Sequence, residues 1–71
     1  MSRLNNVSAY ECIRALERAG FVVKRQKGSH IIMGKMGRRV SVPNHKPIKV
    51  GTLHNIIEQA GLTVDEFLEL L

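Results

Sequence analysis

Three histidines (His30, His45 and His54), one cysteine (Cys12) and six carboxylates are the side chains here whose chemistry goes beyond packing and simple positive charge. Metal-assisted hydrolysis is the first chemistry to test, because nuclease magnesium sites are built from carboxylates. Glu11, Glu17, Glu58, Asp65, Glu66 and Glu69 lie towards the two ends of the chain at helical spacing, the pattern of solvated helix faces. The histidines and Cys12 show no ligand-pair spacing of the finger or ribbon kind. No metal site and no cofactor are therefore expected. Cys12 stands in Tyr10-Glu11-Cys12-Ile13, where the adjacent acid disfavours a thiolate, so it reads as a semi-buried helix residue and not as a nucleophile.

RNA can be cut without a metal, since its own 2′-hydroxyl attacks the adjacent phosphate once a base takes the proton and an acid protects the leaving oxygen. Histidine fills either part near neutral pH. His30 is the best candidate of the three. It follows Gly28-Ser29 at the start of an expected strand, and glycine permits close approach of a ligand to the backbone. It also lies in a basic block whose Lys24, Lys27 and Arg39 can stabilise charge on a phosphorane. On residue chemistry alone, a structural hydrogen bond at a strand edge is the commoner use of such a histidine. His45, in Pro43-Asn44-His45-Lys46-Pro47, reads equally as a phosphate donor or as an exposed loop residue. His54 reads as a surface or half-buried helix residue. Ser29 reads first as a turn former, with a phosphate contact as the alternative.

The net charge is +5, and its distribution is more informative than its sum. No acidic residue falls between Glu17 and Glu58, an interval that holds Arg18, Lys24, Arg25, Lys27, Lys35, Arg38, Arg39, Lys46 and Lys49. A block of one sign attracts a polyanion, and nucleic acid is the commonest one in the cytoplasm.

The elements that must position these residues are legible from capping and periodicity. Ser8 and Glu11 form a capping box, and Ala9, Cys12, Ile13, Leu16 and Ala19 follow at helical spacing, with Gly20 as the stop. A helix is expected over about 9–19. Phe21 to Gln26 reads as a strand, Lys27-Gly28 as a turn, Ser29 to Met33 as a second strand, and Arg38 to Val42 as a third, closed by Pro43. Short loops make the three strands an antiparallel meander. Leu53, Ile56, Ile57 and Ala60 then recur at i, i+3, i+4 and i+7, so Thr52 to Ala60 reads as an amphipathic helix ended by Gly61. Thr63 and Glu66 cap a short terminal helix whose Phe67, Leu68 and Leu71 can cover the core. The expected fold class is a two-layer α+β domain, α-β-β-β-α, with the helices on one face of a three-stranded sheet. Period-two alternation turns Phe21, Val23, Ile31, Met33, Val40 and Val42 inward, leaving Lys24, Gln26, His30, Ile32, Arg39 and Ser41 outward.

Length and composition exclude several classes. Seventy-one residues suffice for one domain, taken here as 1–71, and 44% apolar content is that of a folded chain. No run approaches the roughly 20 apolar residues of a membrane span, and no signal-peptide pattern opens the chain. The lone cysteine rules out an internal disulfide and fits a reducing cytoplasm.

Arg25-Gln26-Lys27-Gly28-Ser29-His30 resembles the HicA family of toxins from bacterial and archaeal toxin–antitoxin modules. Leu16-Glu17-Arg18-Ala19-Gly20-Phe21 ahead of it is similar to that family's opening helix and strand. Behind it, Val40-Ser41-Val42-Pro43-Asn44-His45, Lys49-Val50-Gly51-Thr52-Leu53 and Gln59-Ala60-Gly61-Leu62-Thr63 extend the resemblance over almost the whole chain. The resemblance implies a double-stranded-RNA-binding-like fold and metal-independent mRNA cleavage that arrests translation, with the family's catalytic histidine at His30. It also implies a HicB-like antitoxin partner, with oligomerisation in that complex as an open expectation. The expected RNA contacts are Lys24, Arg25, Lys27, Gly28, Ser29, Arg38, Arg39, His45, Lys46 and Lys49. The alternative is a non-catalytic RNA-binding module using the same basic surface. A purely protein-binding adaptor would leave the clustered cations unexplained.

Overall fold

The computed structural model describes residues 4–71. Its elements run α1 (Ala9–Arg18), β1 (Val22–Lys27), β2 (His30–Lys35), β3 (Arg38–Pro43), α2 (Val50–Gln59) and α3 (Val64–Leu70). The strands form one antiparallel sheet in the order β1-β2-β3. This is the α+β layout expected from the sequence.

Helix α1 begins where its capping box requires. The Ser8 hydroxyl accepts from the Glu11 amide at 3.1 Å, and the Glu11 carboxylate accepts from the Ser8 amide at 3.0 Å. Thr63 and Glu66 reproduce the device at α3. Helix α2 starts two residues earlier than its apolar stripe indicates, with Lys49 at its N-cap and no side-chain cap. Side chains from both layers meet in one core: Cys12, Ala15 and Leu16 from α1, Met33, Val40 and Val42 from the sheet, Leu53, Ile56 and Ile57 from α2, and Phe67 from α3. Burying each larger member contributes about 1.5–3 kcal/mol, so this stripe-to-sheet packing fixes which sheet face stays open.

Both hairpin turns differ from expectation by one or two residues. The first uses Gly28-Ser29 between paired Lys27 and His30, with Gly28 at φ +60°, a first turn position that glycine fills without strain. In the second, β2 continues through Gly34 to Lys35, and Met36-Gly37 make the turn with φ of +48° and +87°. Positive φ at both central residues matches the twist of the flanking strands.

Pairing between β2 and β3 confirms the inferred alternation. His30 lies opposite Pro43, Ile32 opposite Ser41 and Gly34 opposite Arg39 on the open face, while Ile31 opposes Val42 and Met33 opposes Val40 on the core face. In β1 the expectation for Gln26 is overturned. The register shifts between Val23 and Arg25, so Arg25 opposes Ile32, Gln26 opposes Ile31 and Lys27 opposes His30. A bulge inserts one residue and so inverts the alternation beyond it. Gln26 therefore belongs to the core side, and Arg25 and Lys27 take the open face beside His30. Lys24 keeps its outward position: its aliphatic chain lies over Gly34, within 3.1 Å of where a Cβ on that glycine would stand.

Candidate functional site

His30 is exposed at the first position of β2, directly after the Gly28-Ser29 turn and between Lys27 of β1 and Pro43 of β3. The segment after β3 is tied to its surroundings through the backbone. The Asn44 amide donates to the Ser29 carbonyl at 2.7 Å, the Ala9 amide to the His45 carbonyl at 3.0 Å, and the Ile48 amide to the Val7 carbonyl at 2.8 Å. These bonds bring His45 back towards the turn that carries His30. His30 and His45 both line a single open cleft of about 420 Å³. Ser41 and Pro43 complete its strand side, and Lys49, Thr52, Asn55, Ile56 and Gln59 line it from α2, so it lies where that helix comes alongside β3.

Thr52, Asn55, Ile56 and Gln59 share one side of α2 because they recur at i, i+3, i+4 and i+7. Ile56, 2% exposed, gives that wall an apolar base. Sequence reasoning followed the apolar stripe of this helix and passed over the polar positions beside it, although Thr52, Asn55 and Gln59 carry the same periodic signal. Among the described residues, no carboxylate lines the cleft. Among the described residues, no three His, Cys, Asp or Glu side chains gather into a group able to hold a metal ion.

The nine cations of the acid-free block divide into two sets. Three are engaged on the helix side: Arg18 donates to the Leu70 carbonyl, Lys35 to the Ala19 carbonyl, and Arg38 to the Gln59 carbonyl at 3.2 Å. Arg38 opposes Lys35 on the core-side face of the sheet, so the structure does not bring it together with His30. Its guanidinium lies against Gly61, where an added Cβ would come within 2.7 Å of Cζ. Arg25, Lys27 and Arg39 share the open face with His30, Lys24 lies over Gly34 on that face, and Lys49 lines the cleft. Lys46 is exposed in the loop next to His45 and acts on Glu11 from there. His54 is exposed on α2 and lines a separate depression with Glu58 and Thr63.

Cys12 is fully buried, deeper than its sequence context indicated, and burial pushes its thiol up to about 12. A group in that state takes no part in nucleophilic chemistry. The Glu11 carboxyl is held below its ordinary value, first by the hydrogen bonds from the Ser8 amide and hydroxyl and then by the charge of Lys46.

The sequence model of one family, described as the HicA toxin of bacterial toxin–antitoxin, matches residues 9–62. The chain belongs to the HicA toxin family. It is thus the toxin of a toxin–antitoxin module, and membership implies an antitoxin partner. The matched span of this HicA toxin runs from the first residue of α1 to just beyond the Gly61 stop of α2, and every cleft-lining residue falls within it. Helix α3, which adds Phe67 to the core, lies outside it. A comparison with curated proteins gave no match. Among the described residues, no helix is long and apolar enough to cross a membrane.

Proposed function

We propose that this HicA toxin is a metal-independent endoribonuclease that binds and cleaves mRNA and so arrests translation, with His30 as its catalytic residue. The observation that carries the reading is the sharing of one cleft by His30 and His45, open to solvent, edged by Lys49 and free of carboxylates. In the proposed reaction His30 takes the proton from a ribose 2′-hydroxyl. The 2′-oxygen forms a bond to phosphorus as the bond from phosphorus to the 5′-oxygen breaks, and His45 protonates that leaving oxygen. The products are a 2′,3′-cyclic phosphate and a 5′-hydroxyl end. Lys49 and Lys27 stabilise the charge that grows on the non-bridging oxygens, while Lys24, Arg25, Arg39 and Lys46 hold the flanking phosphates, with the Gly28-Ser29 turn leaving room for the strand beside His30. The imidazoles need no cofactor for this chemistry, because one base and one acid complete the proton inventory.

The test is His30→Ala. Removal of a general base or acid costs roughly 10²- to 10⁴-fold in rate, and an exposed side chain at a strand start contributes little to folding, so the variant is expected to be folded, to bind RNA and to cut it at least 10²-fold more slowly. Expression of the unmodified toxin without antitoxin is expected to halt growth, and expression of the variant is expected not to. A folded His30→Ala protein that cuts RNA at the original rate refutes the assignment.

A further inference from the structure

The cleft holds more than the two imidazoles need. Thr52, Asn55 and Gln59 line it from one side of α2, and among the described residues no hydrogen bond engages the side-chain amide of Asn55 or Gln59. A side-chain amide presents a donor and an acceptor side by side, the arrangement that matches the edge of a nucleobase, and it has no charge with which to attract phosphate. At about 420 Å³ the cleft falls within the range of small-ligand sites, roughly 300–1,000 Å³. That is room enough for one splayed-out nucleotide.

The geometry points to Asn55 and Gln59 as the residues that read an unpaired base next to the phosphate to be cut, which makes the substrate a single-stranded stretch of RNA with a preferred base at that position. The inference rests on the reading of the cleft as an RNA-cleaving site. Phosphate contacts from Lys and Arg fix the strand without regard to sequence, and base edges supply the specificity. The cations of the open face and the amides of α2 divide these tasks. An unpaired base is also the form in which RNA exposes its Watson–Crick and Hoogsteen edges to side chains.

The experiment measures binding of fluorescein-labelled single-stranded RNA octamers, identical except for A, C, G or U at one central position, to the full chain carrying His30→Gln. The four affinities are expected to spread by roughly 5- to 150-fold, the discrimination of one good amide–base contact. Adding Asn55→Ala and Gln59→Ala is expected to collapse the spread towards unity. Alanine is the better helix former at both exposed positions, so α2 persists. A flat series before substitution, a spread unchanged after it, or tighter binding of the matching duplex than of any single strand overturns the inference. A spread that ignores the two amides while antitoxin binding weakens also overturns it, by assigning this wall to the protein partner. Cleavage positions mapped with the His30 enzyme separate the two claims. Intact cleavage with an unaltered base ranking in the double variant sinks the base-reading role alone, whereas absent cleavage with an amide-dependent ranking sinks the catalytic role alone.

Discussion

Salt dependence of RNA binding tests how the fold partitions the cations. Nine positive side chains lie between Glu17 and Glu58, and Arg18, Lys35 and Arg38 donate to backbone carbonyls on the helix side, leaving Lys24, Arg25, Lys27, Arg39, Lys46 and Lys49 for phosphate. For a single strand the slope of log affinity against log salt is about −0.7 per neutralised phosphate, so six contacts give about −4 and nine give about −6. Between 50 and 200 mM salt this is a loss of about 300-fold in the first case and about 6,000-fold in the second. Titrations of labelled RNA by fluorescence anisotropy, in the His30→Gln background so that the RNA stays whole, distinguish the two. Replacing Arg25 and Lys27 together by Gln is expected to bring the slope to about −3, while replacing Lys35 and Arg38 together leaves it near −4. An affinity flat in salt refutes the polyanion reading altogether. A slope that falls as much on loss of Lys35 and Arg38 as on loss of Arg25 and Lys27 refutes the partition, because those two side chains would then have left their carbonyls for RNA.

Three further outcomes are expected. Cleavage persists in excess EDTA and leaves 2′,3′-cyclic phosphate ends, since the cleft has no carboxylate to hold a cation; activity that vanishes on chelation and returns with magnesium contradicts the proposed mechanism. Cys12, with its thiol pushed up to about 12 by burial, resists a thiol reagent at pH 8 in the native protein and reacts only as the chain unfolds; rapid labelling without denaturant contradicts its placement in the core. Ser8→Ala lowers stability at neutral pH by about 1 kcal/mol through loss of the cap. The Glu11 half of that box is lowered in the folded state, so its contribution is complete above the ordinary carboxylate range and disappears as pH falls through the lowered value. Urea unfolding of the parent and of Glu11→Gln across that range gives converging midpoints at the acid end if this sign is right.

The local devices of this protein were legible in the sequence. Both capping boxes, the apolar stripes of α1 and α2 and the period-two pattern of β2 and β3 depend on residues a few positions apart, and such short-range chemistry dictates the same geometry wherever it occurs. The acid-free block and the Gly28-Ser29-His30 step belong to the same category, and together they singled out His30. The facing of β1 did not, because Val22 to Lys27 carries no alternation strong enough to reveal an extra residue. The bulge at Lys24 is fixed by pairing with β2, and it exchanged Gln26 for Arg25 and Lys27 on the open face. Nor did the sequence divide its cations: Arg38 and Arg39 are neighbours in the chain, yet the pleat sends one to the Gln59 carbonyl and the other to the face of His30. The cleft itself required the tertiary structure. His30, His45 and Asn55 are widely separated along the chain, and they line one cavity only because the sheet buries its other face against α1 and α2, which brings α2 alongside β3.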